Sequence, residues 1–323
     1  MDVVITGAAG FLGRRLADAL LDARSPLPVA RLLLVDLAPP PARDPRVTAL
    51  ALDLTAPGAA ARAVPPGCGA LFHLAAAVSG HAEAELDLGL RVNLDATRAL
   101  ADAARGRPAL RFVFASSVAV YGAELAAPCE RAAPAPRSSY GAAKAMAELL
   151  LSDYSRRGLL DARVVRLPTV SVRGGSANRA VTSFASALVR EPLAGRAAVL
   201  PVGAERRVWL SSPAAATRNL LHAAALPAGA LGARRVLNLP GLSVSVRDML
   251  AALRETAGAA AAARVRFERD ESVERIVASL PPALDHSRAL SLGFVVDESF
   301  AQIIRQYIAE LGDTSSELHD ADN

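Results

Sequence analysis

Lysine is almost missing from this chain. Its Lys+Arg total is 36, yet Lys144 is the one lysine and all the others are arginine. An arginine-rich background that keeps a single amine points to a position where a guanidinium will not serve. Cysteine is also scarce. Cys68 and Cys129 stand alone with no CxxC spacing, which speaks against a zinc site or a redox dithiol and suits a reducing compartment. Aromatic residues make up 4% of the chain, and no basic run is interleaved with them, so the net charge of +4 does not mark a nucleic-acid surface. No apolar run is long enough to span a bilayer. The opening Val3-Val4-Ile5 lacks the basic region and small-residue cleavage site of a signal peptide. A cytoplasmic protein with a small-molecule substrate, no nucleic-acid partner and no membrane partner is the expectation.

What remains is ample for a core: 323 residues, 52% of them hydrophobic and 21% charged. Short apolar runs alternate with helical periodicity. Strands are expected at 3–6, 31–36, 47–52, 70–74, 111–116 and 164–168, and helices at 11–21, 82–105 and 138–157. Alternating β and α units predict an α/β fold, a doubly wound parallel sheet with helices on both faces. The rhythm changes after residue 168. The expected division is a dinucleotide-binding domain at 1–168, a mainly substrate-binding lobe at 169–311 with some return to the sheet, and a polar, disordered tail at 312–323.

Gly7, Gly10 and Gly13 lie between the first strand and the first helix, in the run Gly7-Ala8-Ala9-Gly10-Phe11-Leu12-Gly13. Such a turn lets backbone N–H groups approach a pyrophosphate at the positive end of a helix dipole. The spacing is one residue wider than the usual dinucleotide fingerprint, and alone it is a weak signal. Asp36 strengthens it, because a carboxylate at the end of the second strand suits the adenosine ribose hydroxyls and repels a 2′-phosphate. No arginine follows it directly, so NAD is expected over NADP.

Tyr140 and Lys144 are four residues apart and share one face of the helix expected at 138–157. A phenol is a poor base at neutral pH, and a neighbouring ammonium favours the phenolate. Ser117, at the end of the strand ending near 116, is placed to hold a substrate oxygen while Tyr140 takes its proton.

This set of features resembles the extended short-chain dehydrogenase/reductases, the family that includes nucleotide-sugar epimerases. The run Phe114-Ala115-Ser116-Ser117-Val118-Ala119-Val120-Tyr121-Gly122 resembles the family's catalytic-serine strand, with Ser117 in the catalytic slot. The resemblance implies adenine contacts from Asp53 and Leu54 and cofactor contacts from Leu74, Ala75 and Ala76. It also implies a place for Asn93 on the following helix, and a nicotinamide-facing segment with Leu167 and Thr169. Ala96 departs from the glycine of many relatives, and Ser211-Ser212-Pro213 from their aspartate. Further motifs, among them Val78-Ser79-Gly80-His81 and Arg166-Leu167-Pro168-Thr169-Val170, resemble the family's sugar-acid dehydrogenases. That implies oxidation of a four-carbon aldonate at C2, with NAD+ as acceptor. An acid substrate asks for a cation, and the candidates are Arg173 and Arg207, with Ser79, His81 and Asn178 as polar contacts. A nucleotide-sugar epimerase with tightly held NAD stays open as the alternative. A 4,6-dehydratase is disfavoured because Val118 and Ala119, not an acid, follow Ser117. A cofactor-sensing protein would have no need of Ser117, Tyr140 and Lys144 together. The family's habit of pairing two long helices leaves a homodimer open.

Overall fold

Val3, Val4 and Ile5 are all buried, and they point alternately to the two faces of a sheet. A strand buried on both faces belongs in the middle of a parallel sheet covered by helices. The computed structural model, which describes residues 1–175 and 180–320, has that arrangement. Strands β1 (Asp2–Thr6), β2 (Arg31–Asp36), β3 (Val47–Ala51), β4 (Cys68–His73), β5 (Arg107–Ser117) and β6 (Leu160–Leu167) come first in the chain. They are followed by β7 (Thr169–Val170), β8 (Ala198–Leu200), β9 (Arg207–Ser211), β10 (Val236–Asn238), β11 (Leu242–Ser245) and β12 (Val265–Phe267). Seven of them form one all-parallel sheet in the order β10-β6-β5-β4-β1-β2-β3. The expected α/β fold is borne out. The strand order reverses between β1 and β4, and a crevice opens there beyond the carboxyl ends of the strands.

Each face has its own core. Val3 and Ile5 pack with Leu16 and Leu20 of the helix Phe11–Leu21 and with Leu220 and Leu221 of the helix Pro213–Ala225. Val4, Leu71, Phe112 and Phe114 pack on the other side with Leu100 of the helix Ala96–Ala104 and with Ala147 and Leu151 of the helix Ser139–Arg156. A third core, including Phe184, Leu188, Leu210, Met249 and Ile304, holds the lobe that carries the small sheets β11-β9-β7 and β12-β8.

One expectation needs correction. The stretch 82–105 is not one helix. It breaks near Glu85 and passes through a wider π turn at Arg91–Asp95 before resuming as Ala96–Ala104. Two buried polar contacts account for the turn. Asn93 brackets the backbone of Ala77, and Thr97 gives its hydroxyl to the Asn93 carbonyl while meeting His73 Nε2 at 2.9 Å. The last helix runs Phe300–Asp320. Ile303, Ile304 and Tyr307 anchor that helix in the third core, and lengthening an existing helix costs far less than nucleating one.

The first turn of the sheet is held by close backbone packing. Gly7 has φ 75°, and a Cβ there would lie 2.6 Å from the Ala75 nitrogen. A Cβ on Gly13 would lie 2.2 Å from the Gly7 carbonyl oxygen. Gly13→Ala is therefore expected to destabilise the chain by about 1–3 kcal/mol or more, as overpacking against backbone does. Thermal unfolding checks this against Gly229→Ala, where nothing stands within 4 Å. Equal melting temperatures for the two variants would contradict the packing described.

Candidate active site

A cavity of about 670 Å³ lies at the crevice. Gly7, Gly10, Phe11, Leu12 and Gly13 form one end of it, with Asp36, Asp53 and Leu54 beside them. Leu74, Ala75 and Ala76 line the middle. Ser117, Tyr140, Lys144, Leu167 and Thr169 line the far part, where Ser79 and Arg173 also face in.

The residues at the first end fit a dinucleotide. No side chain caps the helix Phe11–Leu21, so its first N–H groups are left for an anion. The backbone in front of them comes as close as only glycine permits, since a Cβ on Gly7 or Gly13 would fill the turn. Asp36 accepts a hydrogen bond from the Ala9 nitrogen at 2.9 Å, which ties the strand-end carboxylate to the phosphate turn. Leu37, not a cation, follows it and is largely exposed. Asp53 accepts from the Thr55 nitrogen (2.8 Å) and hydroxyl (2.7 Å), bonds that hold its carboxyl below the usual carboxylate range.

The candidate catalytic side chains come from two elements. β5 ends at Ser117, whose Oγ accepts from the Ala119 nitrogen at 3.1 Å and so turns the chain out of the sheet. Ser138 caps the next long helix by accepting from the Gly141 nitrogen at 3.1 Å. Gly141 lets this helix approach the turn, for a Cβ there would lie 2.1 Å from the Ala119 carbonyl oxygen. The cap and the close approach fix the register that brings Tyr140 and Lys144 beside Ser117. Lys144 is 1% exposed. Its Nζ donates to the Ala115 carbonyl at 2.8 Å, 4.5 Å from the Phe114 ring centre and 5.7 Å from that of Tyr140.

Burial dominates the electrostatics here. It lowers the Lys144 pKa to about 7, against an opposing pull from Glu148. It raises the Tyr140 phenol to about 12, and a hydrogen bond with Ser117 works the other way. In the free chain burial is the larger of the two influences on this phenol. His73, buried beneath the site between Thr6 (2.7 Å) and Thr97, is pushed down to about 3 by burial and then by Lys144, so it is neutral.

Three expected contacts fall elsewhere. Asn93 does not line the cavity: its amide is committed to the Ala77 carbonyl and nitrogen (3.0 and 2.9 Å), so it shapes the loop after β4. Arg207 begins β9 on the exposed side and is taken by its neighbour on β11, donating to the Ser243 hydroxyl (2.9 Å) and carbonyl. Asn178 lies outside the described residues. His81 pairs with Glu85 on its own helix at 3.0 Å and is not part of the cavity wall.

Arg173 is the cation that faces the cavity. No carboxylate pairs with its guanidinium among the described residues, and burial followed by the charge of Arg190 lowers its pKa. Arg190 holds the Arg173 carbonyl at 3.0 Å. Sequence reasoning missed the apolar wall opposite, made by Val118, Val181, Ile276 and Leu280. Ile276 lies on the helix Glu271–Ala278 and Leu280 just beyond it, more than a hundred residues from the catalytic tyrosine.

A stability measurement tests the buried amine. The Lys144 pKa is about 7 in the folded chain against an ordinary 10.5, so between those values the unfolded chain binds more protons and stability rises with pH. Lys144→Met should raise the melting temperature by several degrees at pH 7 or below, with the gain fading as the pH approaches 10.5. A gain independent of pH would show that the amine is not buried as a charge.

The profile of the NAD dependent epimerase/dehydratase family matches residues 3–230. The chain is 50% identical over 323 residues to a D-erythronate dehydrogenase of Cupriavidus necator, covering 97% of this chain and 99% of that one. It is 46% identical over 312 residues to a D-erythronate dehydrogenase of Haemophilus influenzae, covering 95% and 99%. The crystal structure of a nucleoside-diphosphate-sugar epimerase from Agrobacterium tumefaciens superposes with a TM-score of 0.90 at 43% identity, over 97% of this chain and 95% of that one. By the family profile and these likenesses, the chain belongs to the NAD dependent epimerase/dehydratase family.

Proposed function

We propose that this protein oxidises D-erythronate at C2 to 2-dehydro-D-erythronate, with NAD+ as acceptor. The observation that carries the reading is Arg173, a cation without a carboxylate partner among the described residues, on the wall of the cavity that holds Tyr140. A guanidinium in a partly desolvated site favours an anionic substrate, and the planar carboxylate of a short aldonate matches its fork. The two relatives named D-erythronate dehydrogenase support the choice of acid.

In this reading Ser117 holds the C2 oxygen and Tyr140 accepts its proton. The C2–H bond breaks with its electron pair leaving as hydride. Bound NAD+ supplies the hydride acceptor and adds a positive charge beside the phenol. Lys144, pinned to Ala115, keeps the helix face that carries Tyr140 turned to the cavity. Residues 169–311 would be mainly the substrate side, and 1–168 the cofactor side. We further propose a cytoplasmic protein, in keeping with its free thiols at Cys68 and Cys129. No helix among the described residues is long and apolar enough to cross a membrane. A homodimer would cover Met146 and Leu149, which stand exposed on the helix Ser139–Arg156.

NADH should accumulate when the chain is given NAD+ and D-erythronate. Silence with erythronate and other aldonates, together with epimerisation of a nucleotide sugar, would overturn the proposal in favour of the epimerase. Tyr140→Phe should lower kcat by about 10²–10⁴-fold, with NAD+ binding measured by calorimetry nearly unchanged. Arg173→Met should raise KM for erythronate by about 10–100-fold, from the loss of a charge-assisted hydrogen bond, while KM for NAD+ moves little. Equal effects on both constants would remove Arg173 from the substrate site.

A further inference from the structure

Three successive residues at the end of β5 engage three helix residues spaced four apart. The Ala115 carbonyl accepts from Lys144 Nζ at 2.8 Å. The Ser116 hydroxyl donates to Glu148 Oε1. Ser117 faces the Tyr140 phenol on the cavity wall. Tyr140, Lys144 and Glu148 therefore form one stripe along the helix, and the strand end meets all three. The first two belong to the site described above, and the reaction so far makes no use of Glu148.

Glu148 is 2% exposed, a position where carboxylates are rare unless paired. Its partner is Arg166 on β6, whose Nε lies 2.9 Å from Oε1 and 3.1 Å from Oε2. Arg166 also donates to the Tyr121 hydroxyl, which in turn meets Asn238 Oδ1 at 3.0 Å. A buried ion pair gains little stability over an apolar pair of the same size, so stability alone is a weak reason for one. Its location gives a stronger reason. The titratable and charged groups around Lys144 are Tyr140 and Glu148 on its own helix, His73 on β4, Tyr121 after β5 and Arg166 on β6. His73 and the two tyrosines are neutral at pH 7. Of the Glu148–Arg166 pair, it is the carboxylate whose charge acts on Lys144.

We propose that Glu148, fixed by Arg166 and Ser116, is a positioning residue that holds Lys144 as an ammonium beneath Tyr140 and so sets the upper pH limit of the reaction. The arginine and the serine use both carboxylate oxygens, so the charge cannot swing away when substrate enters. Burial works to neutralise the amine, and Glu148 is the group that opposes it. Only the kinetic part of this inference rests on the dehydrogenase reading.

The lone lysine makes a direct test possible. Lysine carrying 13C at Cε gives one resonance from this chain, and its shift against pH reports the Lys144 protonation midpoint without any turnover. Glu148→Gln should move that midpoint down by about one pH unit or more, roughly a tenfold fall in the ratio of ammonium to amine at the original midpoint. Glu148→Asp should move it less. Because Glu148→Gln strands the Arg166 charge, the double variant Glu148→Gln/Arg166→Met provides a neutral pair of similar bulk, and it should show the same downward move. The basic limb of kcat/KM for erythronate should shift in step. A midpoint unchanged in both the single and the double variant overturns the proposal, even if both are less stable. A wild-type chain that does not turn over erythronate, yet shows the shift in its resonance, sinks the dehydrogenase reading and leaves this inference standing.

Discussion

The Lys144 amine is buried to 1% exposure and hydrogen-bonded to the Ala115 carbonyl, and most of the site's geometry follows from that contact. To seat an amine there, the helix Ser139–Arg156 must lie close against the end of β5. Gly141 removes the side chain that would hold it off, and Ser138 fixes where it begins. With the helix so placed, Tyr140 one turn earlier reaches Ser117, and Glu148 one turn later reaches Ser116. The same burial has an electrostatic consequence. It makes the amine easy to neutralise and the phenol hard to ionise, so the free site holds its proton on Tyr140. A bound oxidised cofactor would add a positive charge that favours loss of that proton.

The cofactor half of the site was legible because its signals are local. A turn that must bring the backbone against a phosphate has few solutions, and Gly7, Gly13 and Asp36 sit within one βαβ unit. The catalytic residues were legible for a similar reason, since an i, i+4 pair on a helix needs no knowledge of the rest of the fold. The same spacing runs on to Glu148, so the sequence carried that signal too. What it hid was the partner, because Arg166 meets Glu148 only after β6 has paired with β5.

The substrate half was far less legible. Ile276 and Leu280 come from a helix far along the chain, and only the third core brings them over the cavity. Arg207 and Arg173 looked alike as isolated cations. An acceptor on the adjoining strand holds Arg207 at the exposed start of β9, whereas Arg173, beyond the end of β7, faces the cavity. The surroundings of Asn93 were hidden for a related reason. A buried amide satisfied by both backbone groups of Ala77 has little left for a ligand, and that pairing depends on a π turn that helical periodicity does not announce.

The contrast between one lysine and many arginines can be argued from the interior itself. Arg163 is as deeply buried as Lys144, and its forked head donates to the Ala223, Ala224 and Leu226 carbonyls and to Asp161. It thereby closes the end of the helix Pro213–Ala225 and joins it to β6. That task needs several fixed donors, which a guanidinium has and an amine lacks. Arg166 uses its fork in the same way to hold Glu148 and Tyr121 together. At position 144 the space between Phe114 and Tyr140 admits a single donor aimed at a single carbonyl. A guanidinium there would leave donors buried without partners, a cost of about 1–3 kcal/mol for each. It would also stay charged throughout the working pH range. The position asks for a slender cation whose protonation its neighbours can set, and among the twenty side chains lysine is the one that meets that demand.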